Sequence, residues 1–562
     1  MRTGKNGDVY QLVAPAPDGG VLLQRLDRGG APAGTAQIVP GSHFAALAQS
    51  VEAEERPRWV WQRTTDWYPR LLAAGVEVQR CHDLTLSAAI LAHSAFVAGS
   101  GYTPSIPLGS PLDEPDSGRS GWPGQHQDAL FEARTPGVDA DEAVAELGAQ
   151  LGAVSGSPRR QRLALLLAAE SAGALAAAEM RRSGVPWDAE VHDALLVERL
   201  GPRPRGTARP ALLEAKAAEL RGLLASPHLN PDSPQELLRA LHRAGIETNS
   251  TRAWELRKFT HPAVAPLLEY KKMARLLAAN GWSWLETWVS EGRFRPEYVV
   301  GGVVTGRWAS RGGGAMQIPA EVRSAARALP GHRLVVADAS QLEPRVLAAL
   351  AGDEAMAGAA RGRDLYAGIA AAGFGGDRAQ AKVALLGAIY GATTGESGRL
   401  MPQLARLYPQ AVALVEQAAR DGERGLAVTT HLGRSTPPPS PRWLASQRTT
   451  SAQEQHRADA IARDRGRFTR NFVVQGTAAE WAECWMADLR GRLRRIRSRG
   501  HRAELVYFLH DEVVIHAEES VAEDCAAAVQ DAAQTAGRLL FHHAPVEFPL
   551  SVAVVESYDH AK

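Results

Sequence analysis

The sequence predicts an α/β (α+β) multidomain fold, and three observations support it. Short β-like runs mix with helical segments over the first 100 residues. Helical patterns then fill residues 139–200 and 211–290, and after residue 295 β-like runs alternate with helices again. A chain of 562 residues is long enough for several domains and a large buried core.

Composition narrows the class of protein. Hydrophobic residues make up 45% and charged residues 22%, as in an ordinary globular protein. The net charge is +1, so a nucleic-acid site would have to be a local basic patch. Cys81, Cys484 and Cys525 are too scattered for a disulfide framework or zinc cluster, which favours a reducing cytoplasm. No signal peptide or membrane-length apolar stretch is expected.

The N-terminal elements follow from short apolar runs. Strands are predicted at Val9–Val13, Val21–Leu26 and Trp59–Trp61. Residues 101–127, rich in Gly, Pro and Ser, predict a linker or long surface loop. The helical region that follows is interrupted at "SGVPWD".

The C-terminal half gives sharper patterns. "RLVVAD" predicts a strand, "PRVLAALAGD" a helix with Pro344 in its first turn, and "DRAQAKVALLGAIYG" a helix ended by Gly391. An irregular loop, "HLGRSTPPPSPRW", precedes a predicted helix at "FVVQGTAAEWAECWMADLRGRLRRIR". "AELVYFLHDEVVIHAEE" predicts a hairpin with Asp511 and Glu512 at its turn.

Two apolar strands thus end on aspartates, Asp338 and Asp511. An ionised carboxylate is costly to bury unless it is paired or bound to a cation. Side by side, the two would repel unless divalent cations lay between them, and two metals about 3.5–4 Å apart serve in-line displacement at phosphorus. Oxygen ligands suit magnesium. The alternative for Asp338 alone is a turn or helix N-terminal carboxylate.

Three motifs in order resemble those of family A DNA polymerases, the bacterial DNA polymerase I type. They are "DASQLEPRVLAALAGD", "RAQAKVALLGAIYG" and "HDE" at 510–512. The second is similar to the family pattern R-x3-K-x3-aromatic-x3-Y-G, with Leu386 at the aromatic position. "TGRWAS" at 305–310, "QIP" at 317–319 and "RFTRNFVVQGTAAE" at 467–480 agree in order. The resemblance covers residues 165–562.

The resemblance implies a two-metal-ion nucleotidyl transfer. Asp338 and Asp511, with the backbone carbonyl of Ala339, would bind two Mg²⁺ ions, for which Mn²⁺ can substitute. Glu512 would be a nearby, dispensable acid. Lys382 would give a proton to the leaving pyrophosphate or hold its charge.

The same resemblance implies a nucleotide site. Its residues are Arg378, Lys382, Leu386, Tyr390, Gln341, Glu343 and His510. Arg378, Lys382, Leu386 and Tyr390 are four apart and share a helical face, with two cations suited to a triphosphate. Glu343 would exclude ribonucleotides; the alternative is a plain ion pair with Arg345 or Arg378.

Primer-template DNA is the other implied ligand. Residues implied to line the minor groove or terminal pair are Arg307, Gln317, Arg345, Arg467, Asn471, Gln475 and His510. Lys271, Lys272 and Arg275 would contact backbone phosphates, although each could be a plain surface cation. The arginine run 490–502 is interpreted as a solvated helix end and loop rather than a DNA patch.

A right-hand polymerase fold is therefore expected. "LLAAGVEVQRCHDLTLSAAIL" at 71–91 resembles the middle of a 3′–5′ exonuclease domain, which implies an N-terminal ribonuclease H-like, exonuclease-like α/β domain before the polymerase region. The predicted parts of the chain are an exonuclease-like domain at 1–135, a helical thumb and connection at 136–330, a palm at 331–370 and 427–562, and fingers at 371–426. The chain is expected to begin inside the exonuclease-like part, without a 5′-nuclease domain.

Proofreading is expected to be lost. The first strands, "DVYQLVAPAPDGGVLLQRL", lack the Asp-x-Glu pair that 3′–5′ exonuclease chemistry needs. Asp83 matches a non-catalytic position, and Asp66 is an isolated remnant. Leu386, Ala339 and Pro344, and Gln317 in place of the usual Asn, depart from the family pattern without removing a metal ligand.

Two alternatives stay open at this point. One is a single-subunit RNA polymerase, against which Glu343 argues. The other is a non-catalytic DNA-binding scaffold, against which the joint presence of Asp338, Lys382, Tyr390 and Asp511 argues. The favoured interpretation is a monomeric bacterial enzyme of the cytoplasm, associated with the nucleoid, that acts on primer-template DNA and dNTPs and binds no membrane.

Overall fold

The computed structural model describes residues 9–108, 138–206, 208–311, 314, 318–362, 364–392, 395–542 and 544–561. The chain folds into two compact units. The first comprises Met1–Arg182, Tyr298–Ala309 and Val335–Val554, and the second comprises Ser183–Glu297, Ser310–Leu334 and Val555–Lys562. Most of the predicted linker 101–127 lies outside the described residues. The four predicted domain boundaries stay predictions.

Helices dominate both units. Those described are α1 (Phe44–Glu54), α2 (Thr64–Ala73), α3 (Leu84–Leu91), α4 (Ala140–Ser155), α5 (Arg160–Ser183), α6 (Ala189–Leu200), α7 (Ala211–Leu223), α8 (Pro234–Arg243), α9 (Ala253–Leu256), α10 (Val264–Asn280), α11 (Trp282–Trp288), α12 (Leu342–Ala351), α13 (Glu354–Ala359), α14 (Leu365–Gly373), α15 (Arg378–Tyr390), α16 (Gly395–Leu407), α17 (Pro409–Glu423), α18 (Pro441–Ser446), α19 (Ala452–Arg497) and α20 (Ala522–Phe541).

The strands within the described residues form four sheets. They are β1 (Tyr10–Pro15), β2 (Val21–Leu26), β3 (Gln37–Val39), β4 (Arg58–Trp61), β5 (Arg80–Asp83), β6 (Val185–Pro186), β7 (Val289–Ser290), β8 (Arg293–Phe294), β9 (Glu297–Val299), β10 (Ala309–Arg311), β11 (His332–Ala339), β12 (Ala503–Leu509), β13 (Glu512–Glu518) and β14 (Leu550–Val555). The sheet orders are β3-β2-β1-β4-β5, β10-β9, β12-β13-β11-β14 and β6-β8-β7.

The N-terminal sheet is mixed. β1 runs antiparallel to β2 and parallel to β4, and β4 runs parallel to β5. Its apolar face buries Trp59 and Trp61, whose rings stack 6.4 Å apart, with Tyr68 next to Trp61 at 6.2 Å. The three strands predicted for this region are confirmed, and the sheet fits the predicted ribonuclease H-like domain.

The sheet β12-β13-β11-β14 brings together strands from distant parts of the sequence. Leu334–Ala337 of β11 are fully buried, which is why this run reads as continuously apolar. β12 and β13 form the predicted hairpin, in which Leu509 pairs with Glu512. The strand ends of β11 and of the hairpin therefore meet in one sheet.

Two helices carry many of the predicted site residues. α15 begins at an N-cap, Asp377, and ends at Gly391 in the left-handed conformation, as predicted. α19 is longer than predicted and begins at Ala452 instead of within "FVVQG". A capping box between Ser451 and Glu454 starts it, and its first turns are too polar to show an apolar stripe.

One described helix, α5, is long and apolar enough to cross a membrane by length and composition alone. This corrects the expectation that no stretch of the sequence reaches that length. Two-thirds of its apolar window is buried inside the protein. Leu163, Leu167 and Leu175 are among the residues it contributes to the interior, as in the core helix of a folded domain.

The second unit is mainly helical. α7, α8 and α10 pack around a core that includes Leu213, Leu241 and Leu267. His192 of α6 is fully buried, accepts from the indole of Trp187 at 3.1 Å and lies 2.9 Å from the carbonyl oxygen of Asn280. The predicted helices of residues 189–200 and 211–290 are confirmed.

Candidate active site

The two strand-end aspartates predicted from the sequence come together. The N–H of Ala339 donates a 2.8 Å hydrogen bond to the carbonyl oxygen of Asp511, so β11 joins the hairpin next to Asp338. Burial, and then the charge of Asp338, raise the pKa of Asp511 to about 7. The raised pKa of Asp511 shows that negative charge is concentrated here, so the position favours a cation.

The hairpin turn fixes the direction of Asp511. His510 has a left-handed backbone with φ of 56°, and the Asp511 N–H donates to the Leu509 carbonyl at 2.6 Å. The prediction that Glu512 also lies at the turn is wrong, because Glu512 is the first residue of β13 and is 1% exposed. Burial, followed by the charge of Arg307, lowers the pKa of His510 to about 4, which leaves a neutral imidazole at neutral pH.

A cavity of about 270 Å³ opens beside Asp511. Its lining combines residues from the turn before β10, α12, α14, α15, α19 and the hairpin. They are Gly306, Arg307, Trp308, Gln341, Leu342, Glu343, Pro344, Tyr366, Leu386, Tyr390, Ala478, Ala479, Glu483, Phe508, His510 and Asp511. Seven candidate site residues from the sequence therefore line one cavity.

Glu343 lies at the centre of a polar cluster. One carboxylate oxygen is ion-paired with the Arg307 guanidinium, and the other accepts from the Tyr390 hydroxyl at 2.7 Å. The Glu343 side chain is 11% exposed. The alternative partners expected for it, Arg345 and Arg378, are wrong, because Arg307 holds this position. Burial and the Glu343 charge raise the pKa of Tyr390, so its hydroxyl remains a donor.

The cations of α15 lie over an aromatic ring that the sequence did not single out. The Arg378 guanidinium carbon is 5.5 Å and the Lys382 ammonium 6.0 Å from the centre of the Tyr366 ring. Arg378 also binds Asp364 at 2.7 Å. Gln341 donates to Asp364 at 2.9 Å and thereby links α12 to this cluster.

α19 presents a stripe of polar residues at intervals of four. Arg467 is about half exposed and ion-paired with Asp464. Asn471 and Gln475 follow on the same face and are half-buried. The next turn contributes Ala478 and Ala479 to the cavity. The stripe therefore leads along the helix toward the cavity.

Arg345, predicted to line the DNA groove, lies in the protein interior. It is fully buried, and its guanidinium donates to the carbonyl oxygens of Ser340, Ala360, Gly362 and Glu547. These four bonds tie the start of α12 to two loops. The prediction that Arg345 lines a DNA groove is wrong for this structure, because the side chain has no exposed surface.

Three further candidates lie outside this cavity, and a fourth cannot be placed. Gln317 is outside the described residues. Lys271, Lys272 and Arg275 lie on α10 of the second unit. Lys271 donates to Thr251, and Lys272 pairs with Glu321 at 2.9 Å while its side chain stays 67% exposed. Lys272 therefore keeps its ammonium group accessible at the surface.

The arginine run at the end of α19 is not a uniformly solvated helix end. Arg490 is buried, binds Glu179 of α5 at 2.7 Å and donates to the Gln79 carbonyl at 2.7 Å. Arg497 binds Glu77 at 2.7 Å. The expectation of a solvated face is therefore wrong for these residues, which join α19 to the N-terminal sheet domain.

The acids of the N-terminal domain are engaged locally. Asp83 is 3% exposed, caps α3 and accepts from the Thr64 N–H and hydroxyl at 2.7 and 2.8 Å. Asp66 pairs with Arg63 at 2.9 Å. Among the described residues, no three His, Cys, Asp or Glu side chains cluster, so these acids form no carboxylate cluster of the kind that exonuclease chemistry needs.

Comparisons with known proteins agree with this architecture. The profile of "DNA polymerase family A" matches residues 208–559. The chain is 27% identical over 423 residues to a thermostable DNA polymerase I of Thermus filiformis, covering 67% of this chain and 46% of that protein. It is 29% identical over 299 residues to DNA polymerase I of Chloroflexus aurantiacus, covering 48% of this chain and 30% of that protein.

A solved structure has the same fold. The POL domain of Pol1 from M. smegmatis, in complex with DNA primer-template and dNTP, superposes with a TM-score of 0.68 at 19% identity. The match covers 99% of this chain and 96% of that one. The fold is thus that of a family A polymerase domain, as predicted. The chain belongs to DNA polymerase family A, and it spans less than half the length of the two curated relatives described above.

Proposed function

We propose that this chain is a template-directed DNA polymerase that adds deoxynucleotides to a primer 3′-hydroxyl. The observation that carries the proposal is the adjacency of Asp338 and Asp511 in one sheet, with Asp511 in the cavity wall. Membership of DNA polymerase family A supports it. Primer-template DNA and dNTPs are the proposed substrates of a monomer acting in replication or repair in the bacterial cytoplasm.

The donor set fits divalent metal. Two carboxylates in a partly buried position repel each other, and a cation between them removes the repulsion. Asp338, Asp511 and the Ala339 carbonyl would hold two Mg²⁺ ions. Bound there, Mg²⁺ would acidify the primer hydroxyl and neutralise charge on the triphosphate. Glu512 is proposed to be dispensable, because its side chain is buried within β13.

The remaining groups would bind and orient the nucleotide. Arg378 and Lys382 would hold the triphosphate, and the Lys382 ammonium would donate a proton to the leaving pyrophosphate. Leu386 and Tyr390 would contact the sugar and base. Glu343 would occupy the space of a ribose 2′-hydroxyl, which its place in the cavity wall supports.

DNA would be held by donors that read geometry rather than sequence. Arg307, Asn471, Gln475 and His510 would face the minor groove near the primer end, where acceptors occur at every base pair. Arg467 would lie further along the same path. Lys271, Lys272 and Arg275 would bind backbone phosphates in a salt-dependent manner.

Primer extension tests the proposed function directly. Asp338→Asn and Asp511→Asn should each abolish extension with Mg²⁺ while binding of primer-template DNA stays close to that of wild type. Asp524→Asn, an exposed carboxylate in the first turn of α20, is the matched control and should extend normally. Near-normal extension by either of the first two variants would refute the carboxylate assignment.

A further inference from the structure

A buried arginine lies directly behind the cavity wall. We propose that Arg434 is a positioning residue that supports the Gly306-Arg307 turn and so fixes Arg307 for the primer terminus. This inference rests on the proposed function of Arg307. Arg434 has no assigned role in the nucleotide or DNA site, and its side chain is 11% exposed.

The contact with the turn is close. A Cβ atom at Gly306 would lie 2.5 Å from Arg434 Nε and 2.9 Å from Cζ. Gly306 also has φ of 86°, a conformation that favours glycine. Two independent constraints therefore require glycine here, and one of them is the guanidinium that lies against the turn.

The turn transmits this support into the cavity. Arg307 follows Gly306 directly, lines the cavity and is ion-paired with Glu343. Trp308 comes next, is 2% exposed and packs on Phe508 of the hairpin with ring centres 4.9 Å apart. Arg307 thus projects from a segment that is held on one side by Trp308 and on the other by Arg434.

Arg434 is itself fixed in place. Its guanidinium binds Glu170 of α5 at 2.5 Å, and the Glu170 side chain is 2% exposed. The Arg434 Nε atom is buried with no hydrogen-bond acceptor among the described residues. An unsatisfied buried donor is destabilising, so stability alone does not explain an arginine at this position.

The loop that carries Arg434 is held by three hydrogen bonds to two parts of the structure. Ser94 donates to the Gly433 carbonyl at 2.7 Å, the His431 N–H donates to Thr477 of α19 at 3.1 Å, and the Leu432 N–H donates to Glu480 at 2.9 Å. These bonds come from the N-terminal domain and from α19. The base of the support is consequently rigid.

A second acid lies beside the pair of Arg434 and Glu170. Glu483 is 2% exposed, lines the cavity, and neither of its oxygens accepts a hydrogen bond from a described donor. Burial, then the charge of Glu170, raise the pKa of Glu483 well above its usual range. Glu483 therefore holds its proton at neutral pH and adds no second negative charge beside the pair.

Single-turnover primer extension with matched and mispaired primer ends tests the inference. Arg434→Gln should slow extension of the matched primer roughly 10-fold to 100-fold, the range expected when a distant change misplaces a group near the reacting atoms. The matched-to-mispaired rate ratio should fall as well, since Arg307 would no longer be held against the terminal pair. Arg442→Gln, an exposed arginine on α18, should leave both rates unchanged.

A double-mutant cycle distinguishes positioning from general stabilisation. If Arg434 acts through Arg307, the Arg307→Ala/Arg434→Gln double variant should extend no more slowly than Arg307→Ala alone. Glu170→Gln should reproduce the Arg434→Gln defect and should likewise add nothing to Arg307→Ala. If Arg434→Gln does not fold, Arg434→Lys, which keeps the charge and loses the planar fork, takes its place in the same cycle.

The outcomes separate this inference from the function on which it rests. The positioning role is overturned if the rate losses of the two single variants multiply in the double variant, or if Arg434→Gln leaves the matched-to-mispaired rate ratio unchanged. Primer extension by the wild-type protein would still support the polymerase function in either case. Absence of extension by wild-type protein would overturn the proposed function and the positioning role with it.

Discussion

The N–H of Ala339 donates a 2.8 Å hydrogen bond to the carbonyl oxygen of Asp511. β11 also pairs with β13 in the sheet, and this bond extends the pairing to the residues next to Asp338 and Asp511. Because side chains alternate across a strand, a shift of one residue would turn Asp338 to the opposite face. The pairing of the two aspartates therefore depends on a backbone contact between strands that are far apart in the sequence.

Glu343 should control the choice of sugar. Glu343→Ala removes a carboxylate from the cavity wall, and we expect the preference for dNTPs over NTPs to fall about 10-fold to 100-fold, the range for accommodating one hydroxyl. The measurement is the ratio of kcat/KM for a dNTP and the matching NTP. Wild-type protein that preferred NTPs would instead favour the RNA polymerase alternative.

Two controls isolate the carboxylate. Tyr390→Phe removes only the hydroxyl that donates to Glu343 at 2.7 Å, so its loss of sugar preference should be smaller. Glu354→Gln, an exposed acid in the first turn of α13, should leave the ratio unchanged. Equal effects from Tyr390→Phe and Glu343→Ala would mean that the hydrogen bond, rather than the bulk of the carboxylate, sets the preference.

Lys382 should matter for the rate of the chemical step. Lys382→Ala removes the ammonium over Tyr366, and we expect the single-turnover rate to fall roughly 100-fold to 1,000-fold, with weaker dNTP binding. Rapid-quench extension over a range of dNTP concentrations measures both quantities. Arg399→Ala, an exposed cation on α16, is the control. An unchanged maximal rate would leave Lys382 without its proposed role.

Local patterns in the sequence were enough to predict the elements that carry the site. The apolar run of β11 and the glycine that ends α15 are local signals, because strand burial and a left-handed cap each restrict a few adjacent residues. The start of α19 at Ala452 was missed, since its exposed first turns carry no apolar periodicity.

Partners of buried charges could not be predicted in the same way. The burial of Arg345, the pairing of Arg307 with Glu343 and that of Arg490 with Glu179 each join residues from separate elements. Charge and spacing are compatible with several partners, and the chain path alone decides among them. Tyr366 was missed for the same reason, because a tyrosine on a short helix has no pattern that relates it to the cations of α15.

Arg490 should contribute more stability than its neighbours in the arginine run. Arg490→Ala would leave Glu179 buried without its partner, and we expect a loss of about 3–5 kcal/mol in the free energy of unfolding. Arg495→Ala, an exposed arginine of the same run, should change it by less than about 0.5 kcal/mol. Denaturant unfolding measures both. If both variants lost less than about 0.5 kcal/mol in the free energy of unfolding, the arginine run would again be interpreted as a solvated helix end.

The N-terminal domain should not shorten a mispaired primer. β1, "YQLVAP", carries no acid, and Asp83 and Asp66 are engaged by Thr64 and Arg63 rather than facing a common point. Incubation of a 3′-mispaired primer with Mg²⁺ and no dNTP should leave its length unchanged, while a proofreading enzyme shortens the same substrate. Shortening that persists in Asp338→Asn protein would place an exonuclease in this chain.

The stability of the N-terminal domain should fall as the pH rises through the titration of Asp83. Burial raises its pKa from 3.8 to about 6, so the folded domain binds a proton more tightly than the unfolded chain does. That contribution is complete below pH 4 and is lost as the pH rises through 6. Hydrogen exchange over residues 58–91 should therefore accelerate between pH 4 and 7, after correction for the intrinsic rate. Asp83→Asn should abolish this pH-dependent acceleration of exchange, whereas Asp66→Asn, at the surface, should show the same acceleration as wild type. An equal pH response in both variants would contradict the assignment to Asp83.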